Sequence, residues 1–245
     1  MFTPKESQTD GRMGARYWWR HPLKALRLAV HGGISGLAPL ERDEVCLPSD
    51  LRAILQAYTE TGPNRTCANR HEYGGCYQRE RVAALADWCL QRYEGDLVEI
   101  GACRGLCTRL LAAVAAKHGR KVIVVDPWVT GTQDCEGGEF EEFQKNTVEW
   151  REHLEVVRQV SDAPAVFAHL RGRSVAFAFV DGLHTFDACR SDFLLLRETT
   201  GLVVADDARY NVEVLRAARL RARQFGWRVI QPPEVREALL IPSLA

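Results

Sequence analysis

No stretch of this chain approaches the roughly 20 consecutive apolar residues that crossing a bilayer takes, so no stable membrane insertion is expected. The opening MFTPKESQTDGR lacks the apolar core of a signal peptide, which makes the cytoplasm the expected compartment. Net charge is also missing. Lys plus Arg and Asp plus Glu number 32 each, a balance that calls for neither nucleic acid nor an anionic surface as partner. Disulfide density is missing as well: the 8 cysteines are scattered over predicted helices, loops and a strand end, and reduced thiols are expected. His71 sits near Cys67 and Cys76, but the spacing matches no common zinc pattern, and no zinc is assigned. There is no internal repeat. The length of 245 residues admits one α/β domain with an extension or two small domains.

Four short apolar runs, each ending in acidic or glycine-rich residues, organise what is there: 97–105 (LVEIGACRG), 121–128 (KVIVVDPW), 175–184 (VAFAFVDGLH) and 201–209 (GLVVADDAR). Helical spacing of apolar residues over 78–93, 107–117, 186–198 and 211–225 alternates with them, as parallel crossover units require. Residues 154–160 read as a further strand, and 227–231 with 238–241, joined by Pro232-Pro233-Glu234, read as a closing antiparallel hairpin. The expected fold is α/β: a Rossmann-like, mostly parallel seven-stranded sheet flanked by helices, with a C-terminal antiparallel hairpin and a helical N-terminal extension. The extension, residues 1–72, is expected to cover the substrate. It holds a basic amphipathic stretch over 17–30, a break at Gly32, Gly33, Gly36 and Pro39, and a helix after Pro48-Ser49-Asp50. The turn-rich loop 61–75 is suited to lie over a ligand, and residues 73–245 form the domain proper.

As parallel strands, the four runs place Glu99, Asp126, Asp181, Asp206 and Asp207 along one rim, where open α/β sheets bind ligands. Unpaired buried charge is costly, so these carboxylates point to a cofactor site beside a metal site. Gly101 permits a sharp turn, and Gly105 would admit a cofactor where a Cβ would intrude. An acidic Glu99 in that turn, with no third glycine, opposes a diphosphate and suits a cationic or amino-bearing ligand. Asp126 stands where a carboxylate grips ribose hydroxyls, with turn capping before Pro127 as its alternative role. Ser161-Asp162 could receive an adenine amine or cap a helix. Asp181 with Asp206 and Asp207 could converge on one ion, and hard oxygen ligands favour Mg²⁺, with Mn²⁺ or Ca²⁺ open. That convergence requires the strand to turn at Asp206, because consecutive residues otherwise point apart. His184, on the loop of Asp181, could take a hydroxyl proton. Tyr73, Tyr77, Trp128 and Trp150 are candidate aromatic walls or ordinary packing, and the acidic loop 134–142 is expected to move.

At VEIGACRGLCTRLLA, VVDPW, FVDGLHTFDACRSDF and VVADDAR the chain resembles class I S-adenosylmethionine-dependent methyltransferases. Among them it looks closest to the metal-dependent macrocin-type sugar O-methyltransferases and the cephalosporin-hydroxylase-like group. The resemblance begins near Tyr73 and implies that Glu99, Gly101 and Gly105 line the methionine part of S-adenosylmethionine. Asp126 would hold the ribose and Asp162 would lie by the adenine, with Ser161 counted beside it among the cofactor residues. Asp181, Asp206 and Asp207 would bind Mg²⁺ (or Mn²⁺), with Asp181 or His184 accepting the proton. Cys107-Thr108 stands where the family often has a Ser-Thr pair, and Thr108 is counted with the cofactor residues. The implied activity is Mg-dependent O-methylation of a small glycosylated or polyhydroxylated natural product, by an enzyme that is often oligomeric. The open alternatives are a metal-independent N- or C-methyltransferase and a non-catalytic cofactor-binding accessory protein.

Overall fold

Residues 47–59, 76–129 and 137–242 are described by the computed structural model. Strands β1 (Asp96–Ile100), β2 (Val122–Val125), β4 (Val175–Val180) and β5 (Thr199–Ala205) are buried almost throughout. Helices cover both faces of a parallel sheet, which is why these strands read as continuous apolar runs rather than alternating ones. With β3 (Leu154–Val157), β6 (Arg228–Ile230) and β7 (Ala238–Ile241), the sheet runs β3-β2-β1-β4-β5-β7-β6. Pairings β3-β2, β2-β1, β1-β4 and β4-β5 are parallel. The hairpin is present, and its second strand β7 lies antiparallel between β5 and β6.

One face of the sheet carries α1 (Ser49–Ala57), α2 (Cys76–Leu90), α3 (Thr108–Lys117) and α4 (Glu139–Thr147). Their Leu51, Leu55, Val82, Leu85, Leu111 and Phe143 pack with Leu97, Val124 and Phe177 of the strands. The part of the expected extension that is described, α1, thus shares the core of the domain. The other face carries α5 (Pro164–Leu170), α6 (Phe186–Leu195) and α7 (Val212–Phe225), with Val166, Phe193 and Val214 on Val98, Ile100 and Ile123. On β1 the period of two sends Leu97 and Glu99 to the first face and Val98 and Ile100 to the second. Asn211 opens α7 by accepting from the Glu213 N–H, and left-handed Gly226 closes it.

The acidic stretch expected as a moving loop is, from Glu139 onward, the first turn of α4. Glu139, Glu141 and Glu142 there complement the positive helix end. Trp150 packs on the core, and Trp128 forms an aromatic cluster with Phe140 and Phe143, at centroid distances of 4.9 and 4.8 Å, so both are packing residues. The amphipathic stretch 17–30, the loop 61–75 with His71 and Tyr73, and Asp134 lie outside the described residues, as does the side chain of Tyr77. No helix among the described residues is long and apolar enough to cross a membrane.

Candidate active site

The strand register lines up the rim. Ile100 pairs with Val125 on one side and Val180 on the other, and Val180 pairs with Ala205. One residue further, the Gly101 N–H donates to the Val125 carbonyl, Asp181 N–H to Ile100 and Asp206 N–H to Val180, each at 2.8–2.9 Å. Asp126, Gly101, Asp181 and Asp206 therefore follow one another across the sheet about 5 Å apart. Between β1 and β4 the strand order reverses, and the crevice of an open α/β sheet forms at such a reversal.

On the β1-β2 side the glycine turn is held by Asp126. Its Oδ2 accepts from the N–H groups of Ala102 and Cys103 at 2.8 and 2.9 Å, and Oδ1 accepts from Trp128 N–H at 2.8 Å. A carboxylate offers about four acceptor positions, which leaves about one for a ribose hydroxyl. The Gly101 and Gly105 assignments change. With φ +88°, Gly101 brings the turn against β4, where a Cβ would lie 2.2 Å from the Asp181 carbonyl oxygen. A Cβ on Gly105 would lie 2.8 Å from Phe143 and 2.9 Å from Thr147, so this glycine admits α4, not a cofactor.

Glu99 is wholly buried and accepts the Thr108 hydroxyl on Oε2 at 2.5 Å. Thr108 is therefore the partner of Glu99. Oε1 of Glu99 is buried with no hydrogen-bond partner among the described residues, which fits an ammonium group entering from the crevice. Burial pushes the Glu99 carboxyl up to about 7, against the Thr108 and Cys107 hydrogen bonds that favour its ionised form. Between its ordinary value of 4.5 and about 7 the folded chain holds a proton that the unfolded chain has released. The ligand-free protein is thus expected to lose stability as pH rises through that window, and Glu99→Gln to flatten the slope in melts across pH. Calorimetry with S-adenosylhomocysteine should show about tenfold or weaker binding by the Gln variant, for loss of a charge-assisted hydrogen bond.

The loop after β3 departs from expectation in part. Ser161 donates to buried Asp192 of α6, Asp162 is exposed, and Ala163 occupies the N-cap of α5 without a side-chain cap.

On the β4-β5 side His184 stands between carboxylates. Its Nε2 lies 3.5 Å from Asp181 Oδ1 and its Nδ1 lies 3.7 Å from Asp207 Oδ2, with 14% of the side chain exposed. The Asn211 amide donates to the His184 carbonyl at 2.9 Å while its oxygen caps α7, so one residue fixes both loops. Burial works against charging this imidazole, but Asp181, Asp206 and Asp207 outweigh it and raise its pKa above the ordinary value. Leu183 and Tyr210, 52% and 60% exposed, flank the two loops as apolar surface.

The chain does turn after β5, since Asp207 has φ +54°. What it turns toward is Arg236, a residue the sequence reading did not single out. Arg236 Nε donates to Asp206 Oδ1 at 2.9 Å, and Nη2 reaches Asp206 Oδ2 at 2.5 Å and Asp207 Oδ1 at 3.0 Å. Gln78 of α2 adds a third donor, Nε2 to Asp206 Oδ1 at 2.6 Å. Burial is the largest influence on Asp206 and raises its pKa, but Arg236, with Asp181 and His184, together outweighs it and holds the carboxyl below the usual carboxylate range. The expected set of Asp181, Asp206 and Asp207 around one Mg²⁺ does not fit this arrangement: both Asp206 oxygens are engaged and a guanidinium already bridges the adjacent carboxylates. The donors that converge are Asp181, His184 and Asp206, within 4.8 Å of one another. A nitrogen in that trio suits Mg²⁺ poorly.

Residues 98–208, from β1 through the turn after β5, match the family profile of the methyltransferase domain. The match spans just under half of the chain. Solved structures agree on the fold. CalS11, a TDP-rhamnose 3'-O-methyltransferase of calicheamicin biosynthesis, is 16% identical with a TM-score of 0.56 over 92% of this chain and 95% of that one. The O-methyltransferase NovP is 17% identical, TM-score 0.55, over 79% and 89%. PaMTH1 of Podospora anserina, solved with S-adenosylhomocysteine, is 9% identical, TM-score 0.50, over 80% and 88%. Comparison with curated proteins finds no match.

Proposed function

We propose that this chain is a class I S-adenosylmethionine-dependent methyltransferase that transfers a methyl group to a hydroxyl of a small glycosylated or polyhydroxylated metabolite in the cytoplasm. The observation that carries the reading is His184: its buried Nε2 makes no close hydrogen bond among the described residues, with Asp181 Oδ1 standing 3.5 Å away, on the loop whose Asp181 carbonyl abuts the glycine turn. An imidazole at that place can accept a hydroxyl proton, with Asp207 on the Nδ1 side orienting the ring. S-adenosylmethionine, when bound, supplies an already activated methyl group, so alignment and deprotonation are the tasks left to the chain. Glu99 Oε1 would take its ammonium, the remaining acceptor of Asp126 a ribose hydroxyl, and Ser161 with Asp162 the adenine amine. The sugar class rests on the likeness to CalS11, whose acceptor is TDP-rhamnose. Exposed Tyr210 and Leu183 offer a sugar ring the apolar face it stacks on.

A second reading is Mg²⁺- or Mn²⁺-dependent transfer, favoured by the convergence of Asp181, His184 and Asp206. It requires Arg236 to leave Asp206. Incubation with S-adenosylmethionine and a panel of nucleotide sugars and glycosides, with and without EDTA, tests both by mass spectrometry. Methylation of a hydroxyl that survives chelation is the expected result. Activity that vanishes with EDTA and returns with Mg²⁺ favours the second reading, and methylation only of nitrogen or carbon acceptors defeats both.

A further inference from the structure

Arg236 is placed by topology. Ala238 of β7 pairs with Ala205 of β5 in antiparallel register, so Glu237 and Arg236 continue alongside Asp206 and Asp207. The Arg236 carbonyl is held by the Arg209 N–H at 2.9 Å, which fixes the backbone from which the guanidinium extends. Next to it, Glu237 and Arg81 of α2 form a buried ion pair of 2.6 Å. The backbone of Arg236 and the neighbouring Glu237 are therefore fixed, and the guanidinium fork meets Asp206 with two nitrogens while Nη2 also serves Asp207.

We propose that Arg236 is the resident cation of the acceptor side. It holds, against Asp206 and Asp207, the place that a divalent ion would need, so methyl transfer here requires no metal. It also pins Asp207, whose other oxygen faces Nδ1 of His184. Arginine suits this role as a positioning residue because its planar fork matches carboxylates and it does not lose its proton. A cation bound by Asp206 would compete with three N–H donors for the same oxygens and would meet a fixed positive charge.

The inference rests on the hydroxyl-methylation reading, but its test uses Mn²⁺ alone, with no acceptor present, so each can fail without the other. Uptake of Mn²⁺ by the purified protein is followed by electron paramagnetic resonance of the free ion, with S-adenosylhomocysteine binding measured on the same samples as a check of folding. The wild-type protein and Arg236→Lys should leave Mn²⁺ free. Arg236→Met, which removes the charge, should bind it about tenfold more tightly or better, and a further Asp206→Asn should abolish the gain. Saturable Mn²⁺ binding by the wild-type protein that Asp181→Asn removes would overturn the proposal, as would Arg236→Met binding no better than wild type. If Arg236→Met does not fold, the wild-type titration decides in the same two directions.

Discussion

His184→Asn is expected to lower kcat by about 10²–10⁴-fold, the range for loss of a positioned general base, with S-adenosylhomocysteine affinity nearly unchanged. Asn keeps the size and polarity of the side chain but cannot accept a proton at neutral pH. The structure separates the two effects, because His184 contacts the carboxylates of the β4-β5 side whereas the glycine turn is held by Asp126. Asp207→Asn should reproduce part of the loss, since the group facing Nδ1 would no longer favour the imidazolium formed on proton transfer. Calorimetry and turnover on the same preparations read this. Undiminished turnover by the His184 variant would remove the base from the mechanism.

Gly101→Ala is expected to give the largest loss of stability at any glycine of the turn. Two penalties add: φ +88° is strained for any L side chain, and the new methyl would sit 2.2 Å from the Asp181 carbonyl oxygen and 2.5 Å from its carbon. Both obstacles are backbone, so no side chain can swing away. We expect a cost of about 3 kcal/mol or more, equivalent to a fall in Tm of roughly 6–12 °C for a chain of this size. The variant should also bind S-adenosylhomocysteine poorly, because relieving the clash moves the cofactor turn away from β4. A melt within a degree or so of wild type would show that this close approach does not exist in solution.

The buried strands were legible because a sheet covered on both faces leaves an uninterrupted apolar run, as in VIVV of β2 and VAFAFV of β4. Their order along the chain, alternating with helices, was sufficient for the parallel rim and hence for Glu99, Asp126, Asp181 and Asp206. Helix α4 was not legible. In EFEEFQKNT the only large side chains facing the core are spaced too sparsely for a periodic stripe, and the acidic residues that stabilise its first turn also read as loop. Gly105 looked like a cofactor glycine because the residue it makes room for, Phe143, lies on that unseen helix. Arg236 was missed for a different reason. In PPEVREALLI an Arg-Glu pair beside a proline turn looks solvated, and only the insertion of β7 next to β5 carries it to Asp206. Two ionic residues directly before a fully apolar strand were the available signal, since a strand that enters a buried position delivers its preceding residues to the rim.

The place of β7 also sets the order in which the molecule becomes competent during synthesis. A nascent chain that has emerged from the ribosome through α7 owns every strand of the parallel sheet, the glycine turn and His184, yet Asp206 and Asp207 still lack Arg236 and Arg81 still lacks Glu237. Those arrive together with β7, which pairs with β5 on one side and joins β6 to the sheet on the other. The glycine turn is thus complete in the chain before the cation that braces Asp206 and Asp207 has been made.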